Sequence, residues 1–128
     1  QFPQTIETLT AGTFDGVLMV PDAQVYNAAT VQRILLWGIR QKTPVWAFSN
    51  NIVKAGAFAG ISCSEEDIGR QAAEIVLQIL KGRAASDIGL QYPRPTDRAV
   101  NDRTAELIGR PLKDKSLEAE TLRFGAEP

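Results

Sequence analysis

Histidine is absent from the 128 residues, and cysteine and methionine occur once each, as Cys63 and Met19. Without an imidazole no Ser–His–Asp triad can form, and one thiol allows neither an internal disulfide nor a Cys/His zinc site. A lone thiol suits the cytosol and the periplasm equally. Uninterrupted apolar runs of 18 residues are also missing, so no segment reads as a bilayer-spanning helix. An excess of one charge is lacking too, since 14 basic and 15 acidic residues leave a formal net charge of −1. The Lys and Arg residues are scattered rather than gathered into the stripe that a phosphate backbone demands, which argues against nucleic acid as a partner. Neither G-x-G-x-x-G after the first strand nor G-x-x-x-x-G-K-[ST] anywhere is present, so dinucleotide and P-loop chemistry are not signalled. The opening "QFPQTIETLT" lacks the basic start and apolar core of an export signal.

What is present is a globular composition, 44% hydrophobic and 23% charged, of a length that fits one domain. Two short, continuously apolar segments, "GVLMV" (16–20) and "PVWAF" (44–48), have the character of strands covered on both faces. Between them "AATVQRILLWGIRQ" spaces Ala28, Val31, Leu35 and Ile39 three or four apart, as one face of a helix does. Strand, helix, strand in this order predicts a βαβ unit with parallel strands and a right-handed crossover.

The alternation continues. "NNIVKAG" offers Asn50 as an N-cap and Gly56 as the stop of a one- or two-turn helix, and "FAGIS" (58–62) reads as a third strand. In "SEEDIGRQAAEIVLQILKG", Ser64 caps a helix whose first turn carries Glu65, Glu66 and Asp67, and Gly82 ends it. Ile68, Ala72, Ile75, Val76, Ile79 and Leu80 give that helix a broad apolar stripe. Pro93 and Pro95 make "LQYPRPTDRAV" an extended connector into a short strand near Arg98–Val100. "NDRTAELIG" follows as a capped helix ending at Gly109, and the tail is expected to hold an amphipathic turn or two through Leu117 and Leu122.

In open parallel sheets the carboxyl ends of the strands and the helix starts after them form the binding edge. Pro21–Asp22–Ala23, Ser49–Asn50–Asn51 and Ser62–Cys63–Ser64–Glu65 occupy three such positions, with free backbone amides expected at the helix starts. Each residue has a plainer role beside the functional one. Asp22 caps a helix beginning near Ala23 or holds a turn, or else contacts a ligand; Asn50 and Ser64 are caps; Cys63 is a small buried hydrophobe without a histidine to activate it. Trp37 and Trp46 lie inside regular elements and serve packing, whereas Tyr26 stands beside the edge. The paired carboxylates of Glu65–Glu66–Asp67 point in different directions from a first helical turn and are solvated. No catalytic, metal or cofactor constellation emerges, and the residues describe an α/β module built to bind rather than to react.

Three stretches, "DGVLMVPDAQVYN", "KAGAFAGISCSEEDIGRQAAEIVLQILKG" and "AVNDRTAELIG", in this order and spacing resemble the ABC-transporter substrate-binding protein family with the type I periplasmic-binding-protein fold. That resemblance covers nearly the whole chain and corresponds to the later part of a two-lobe protein with Rossmann-like or flavodoxin-like layers. It implies residues 1–49 as part of a second-lobe α/β unit, 50–96 as a segment returning to the first lobe plus the hinge connector, and 97–128 as the final crossing strand, helix and tail; the alternative is a single compact unit. It also implies a small solute, such as an amino acid or similar metabolite, bound without covalent chemistry or cofactor, delivery to a membrane permease, and a periplasmic or extracytoplasmic location. By the same resemblance the ligand contacts are Asp22 with Pro21, Tyr26 as a ring wall, and Ser49 and Asn50 as a second polar pair. "SNN" stands here where many relatives carry an acidic residue, which weakens an amine-binding role for that pair. Unpaired edges of a partial sheet invite a second copy, so a homodimer formed by edge pairing or segment exchange is expected. An extracytoplasmic sensor of the same fold is the alternative function, and a flavin carrier is disfavoured by the missing phosphate loop.

Overall fold

The computed structural model describes residues 14–94, 97–113 and 120–125, and among these five short strands are interspersed with five helices. In order they are β1 (Val17–Leu18), α1 (Ala28–Arg40), β2 (Val45–Ala47), α2 (Asn50–Lys54), β3 (Ala59–Ser62), α3 (Glu65–Leu80), α4 (Ala85–Ile88), β4 (Asp97–Asn101), α5 (Asp102–Leu107) and β5 (Leu122–Phe124). The strands form one sheet in chain order, β1-β2-β3-β4-β5. β1, β2 and β3 are parallel, with Val17 opposite Val45 and Trp46 opposite Ala59. β4 runs antiparallel to β3, and β5 lies parallel to β4. The two apolar runs therefore lie side by side and point the same way, as the βαβ pattern requires.

Alternation along the strands decides which side chains meet the helices. Met19, Val45, Ala47 and Ala99 face a core completed by Ile34 and Leu35 of α1, Val53 of α2 and Ala57. Met19 and Val53 are the largest side chains there that are shut off from solvent. Gly60 lets α2 approach, because a Cβ at that position would stand 2.7 Å from the Ala47 carbonyl oxygen and 2.8 Å from Val53 Cγ2. A second, smaller cluster joins Phe58, Ala59 and Val100 to Ala105 and Ile108 of the α5 region, with Leu112 packed against it.

The expectation that both strand faces are covered is corrected. Leu18 is 72% exposed, Trp46 42% and Ile61 56%, so the side of the sheet that carries them is open there among the described residues, and is covered only at Ala59 and Val100, where Ala105 and Ile108 pack. Trp46 rests edge-on against Phe58, ring centroids 5.4 Å apart, and stays partly open to solvent. The stripe of α3 is likewise uncovered: no residue of that helix is buried, and Ile68, Val76, Leu77, Ile79 and Leu80 all face solvent. On α1 the buried residues are Ile34, Leu35, Trp37 and Gly38; of the predicted face Leu35 is buried and Val31 packs against the core, whereas Ile39 is half-buried, Ala28 is exposed, and Ile34, Trp37 and Gly38 complete the inward side. Two further differences concern elements. α4 carries no sequence signal, and Leu122 belongs to strand β5 rather than to a helical turn. Leu117, Pro95 and the opening residues 1–13 lie outside the described residues.

Candidate functional site

Because β1, β2 and β3 are parallel neighbours, their carboxyl ends share one edge of the sheet. At the end of β1, Pro21 and Asp22 are exposed. Asp22 Oδ1 accepts hydrogen bonds from the backbone amides of Gln24 (2.8 Å) and Val25 (3.3 Å). Its carbonyl accepts from the Val25 and Tyr26 amides. This side-chain-mimicked turn is the habit of aspartate, and it replaces the helix start expected near Ala23. α1 begins at Ala28 instead, under a reciprocal cap in which Asn27 Oδ1 accepts from the Ala29 and Thr30 amides and Thr30 Oγ1 accepts from the Asn27 amide.

At the end of β2, Ser49 rather than Asn50 is the N-cap of α2, its Oγ accepting from the Ile52 amide at 3.3 Å. Ser49 sits in extended backbone geometry that a cap requires, and Asn50 is already helical. Freed from capping, the Asn50 side chain donates through Nδ2 to Asp97 Oδ2 (3.0 Å) and accepts at Oδ1 from the Ser62 hydroxyl (3.1 Å). Asn50 thus joins the ends of β2 and β3 to the start of β4. Tyr26 lies across from Phe48, ring centroids 5.6 Å apart, which brings the turn after β1 against the end of β2. No hydrogen bond among the described residues links Asp22 to Ser49 or Asn50, so the two polar groups of the edge stand on separate supports.

The third end is occupied by local bonds. Ser64 Oγ caps α3 through the Asp67 amide at 3.2 Å, and Arg70 binds both Glu66 (2.9 Å) and Asp67 (2.8 Å). The amides expected to be free at the helix starts are therefore partly taken by Asn27, Ser49 and Ser64, and a five-residue α2 offers little dipole for an anion. Cys63 is half-buried rather than sealed in the core. Among the described residues no three Cys, Asp or Glu side chains are grouped to hold a metal ion. Concavities exist elsewhere. One of about 480 Å³ is lined by Val31, Leu35, Leu36 and Ile39 of α1 with Ala55. Another of about 220 Å³ lies on the open sheet face around Trp46, Phe58, Ile61 and Leu112. Neither contains Asp22, Ser49 or Asn50; Asp22 is exposed and Ser49 and Asn50 are half-buried.

Asp97 is the member of this group that sequence reasoning missed. It falls at the end of a proline-rich connector, and only the antiparallel register, which sets it opposite Ser62, brings it to Asn50. No local pattern encodes a contact between residues so far apart in the chain.

Comparison with known proteins places this geometry. The chain is similar in fold to a ligand-free, open substrate-binding protein with adhesive properties from Clostridium difficile, at 19% identity and a TM-score of 0.70, over 99% of this chain and 42% of that one. A protein from Streptococcus pneumoniae described as an ABC domain in complex with L-Trp aligns at 18% identity and a TM-score of 0.66, over 96% of this chain and 41% of that one. A conserved domain protein from Vibrio cholerae aligns at 25% identity and a TM-score of 0.61, over 86% of this chain and 36% of that one. The chain thus spans about two fifths of the length of the solved proteins it matches. Among proteins with curated descriptions none matches. The profile of the ABC transporter substrate binding proteins covers residues 4–119, which takes in every strand end described above except the last strand, and the chain belongs to that family.

Proposed function

We propose that the chain is the later part of a two-lobe solute-capture protein that holds a small zwitterionic metabolite, such as an amino acid, at the rim formed by β1, β2 and β3. The observation that carries this reading is the shared polar edge of three parallel strands, within a chain that matches the family over 4–119. Asp22 supplies the charged acceptor, since only one of its carboxylate oxygens is used by the turn. Tyr26 supplies a ring beside it, and Ser49 and Asn50 the polar surface opposite. An L-Trp complex of one structural relative supports an amino acid as the ligand class. Capture proceeds by closure of two bodies and needs no covalent step. In this reading α3, whose apolar side is bare, belongs against the other lobe, and the chain passes toward it after Ser62. The protein works outside the cytoplasm and hands its solute to the membrane permease of an ABC transporter. As an isolated 128-residue chain it covers its bare faces with a second copy, and a monodisperse monomer by light scattering would refute that.

The test is a thermal-shift screen over the twenty amino acids, nucleosides and small organic acids. A ligand at one hundred times its Kd stabilises the folded form by about 2.7 kcal/mol, a clear rise in Tm. With a hit in hand, Asp22→Asn keeps an oxygen for the turn and removes the charge. It is expected to weaken binding by about 1–3 kcal/mol at little cost in stability. Undiminished affinity in that variant returns Asp22 to a turn-forming role.

A further inference from the structure

The side chains of Ser62 and Asp97 reach Asn50 for a reason written in the register. Gly60 pairs with Ala99 and Ser62 with Asp97, two residues later on β3 and two earlier on β4, so both pairs project on the same side of the sheet. That side is the one α2 covers, because a Cβ on Gly60 would meet Val53 of α2. Asn50, in the first turn of α2, is thereby set over the Ser62–Asp97 pair. The hydrogen bonds then run in one direction, from the Ser62 hydroxyl to Asn50 Oδ1 and from Asn50 Nδ2 to Asp97 Oδ2. A carboxylate only accepts, so turning the amide over would face two acceptors toward each other.

We infer that Asp97 is a positioning residue of the candidate site: it fixes the amide of Asn50 and, through it, locks together the two chain segments that leave the sheet at Ser62 and enter it at Asp97. Ser62 is the last residue of β3 on the way to α3, and Asp97 is the first residue of β4 on the way back. Both connections leave the sheet side by side at this point. With the amide held, Asn50 keeps one N–H and one lone pair for a ligand in a single orientation, and the roots of the two segments move as one. The inference rests on the proposed site, yet its test needs no ligand, so a failed ligand screen and a failed lock are distinguishable.

Four variants of the chain decide it: Asp97→Ala, Asp97→Asn, Asn50→Asp, and the swapped double variant that combines Asn50→Asp with Asp97→Asn. The first readout is the side-chain NH2 pair of Asn50 in a ¹⁵N-correlated NMR spectrum. One proton of the pair is expected downfield in the wild type, to return to the free-amide position in Asp97→Ala, and to remain displaced in Asp97→Asn, whose amide oxygen still accepts. The second readout is hydrogen exchange. Asp97→Ala and Asn50→Asp are each expected to speed exchange in peptides 59–64 and 97–103 together, by about tenfold or more, while 28–40 is unchanged. In the swapped double variant the amide introduced at position 97 donates to the carboxylate introduced at position 50, which should restore protection to within about threefold of wild type. A free-amide signal already in the wild type overturns the inference. So does exchange that rises in only one of the two segments, a rise that spreads equally to 28–40, or a double variant as unprotected as Asn50→Asp alone.

Discussion

Replacing Asn101 by alanine tests the packing that holds β4 and α5 to the rest of the sheet. Asn101 is 5% exposed and does three things at once. Its Oδ1 caps α5 by accepting from the Thr104 amide at 2.9 Å, its Nδ2 donates to the Val53 carbonyl of α2 at 2.8 Å, and its backbone amide donates to the Phe58 carbonyl at 3.0 Å. Alanine keeps only the last. Loss of the cap costs about 1 kcal/mol. Loss of the buried bond from Nδ2 to the Val53 carbonyl adds about 1–3 kcal/mol. The Val53 carbonyl keeps the Gly56 amide as a donor, so it is not left bare, and the two losses together come to about 2–4 kcal/mol. Against a typical domain stability of about 5–15 kcal/mol this is a large fraction. In urea, with a slope of about 2 kcal/mol per molar, the midpoint should fall by about 1–2 M. Asn101→Ser, which retains an acceptor for the cap, should recover about 1 kcal/mol of the loss. A midpoint unchanged in Asn101→Ala, at equal slope, would refute the reasoning, because it would mean that neither bond holds α5 to α2.

Two glycines separate close approach from mere flexibility. Gly60→Ala puts a methyl into the Ala47 carbonyl and the fully buried Val53, and is expected to cost about 1–3 kcal/mol by the same denaturation assay; a neutral result would show that α2 is not seated on β3. Gly69→Ala, in α3 with nothing within 4 Å of the added methyl, should instead stabilise that helix by about 1 kcal/mol. Far-UV circular dichroism during heating checks it, and a loss of helical signal would contradict the assignment.

Much of the sheet was readable from local pattern, because "GVLMV", "PVWAF" and "FAGIS" are continuous apolar runs and each leads into small polar residues. α3 was readable because Ser64, the acidic first turn and Gly82 mark both of its ends. An apolar run states that both strand faces tolerate burial, but only a second layer can bury them, and among the described residues that layer reaches Ala59 and Val100 and leaves Leu18 and Trp46 uncovered. The cap of α2 turned on one residue of phase: Ser49 and Asn50 both suit an N-cap, and the point where β2 ends chose Ser49. That single step converted Asn50 from a cap into the bridge between strands. β5 escaped notice because three residues are too few to show a period of two. Asp97 escaped because its place depends on register across the sheet, which no window of sequence contains.

The order of the strands in the sheet is the order in which they are synthesised. Among the described strands each finds its neighbour's edge already laid down, and none has to wait for a later one to be inserted between neighbours. Over these strands growth of the sheet is in this sense vectorial, like shingles laid in one direction. The ends of β1, β2 and β3 are thus laid down first, and the rim waits only for Asp97, at the start of β4, to fix Asn50.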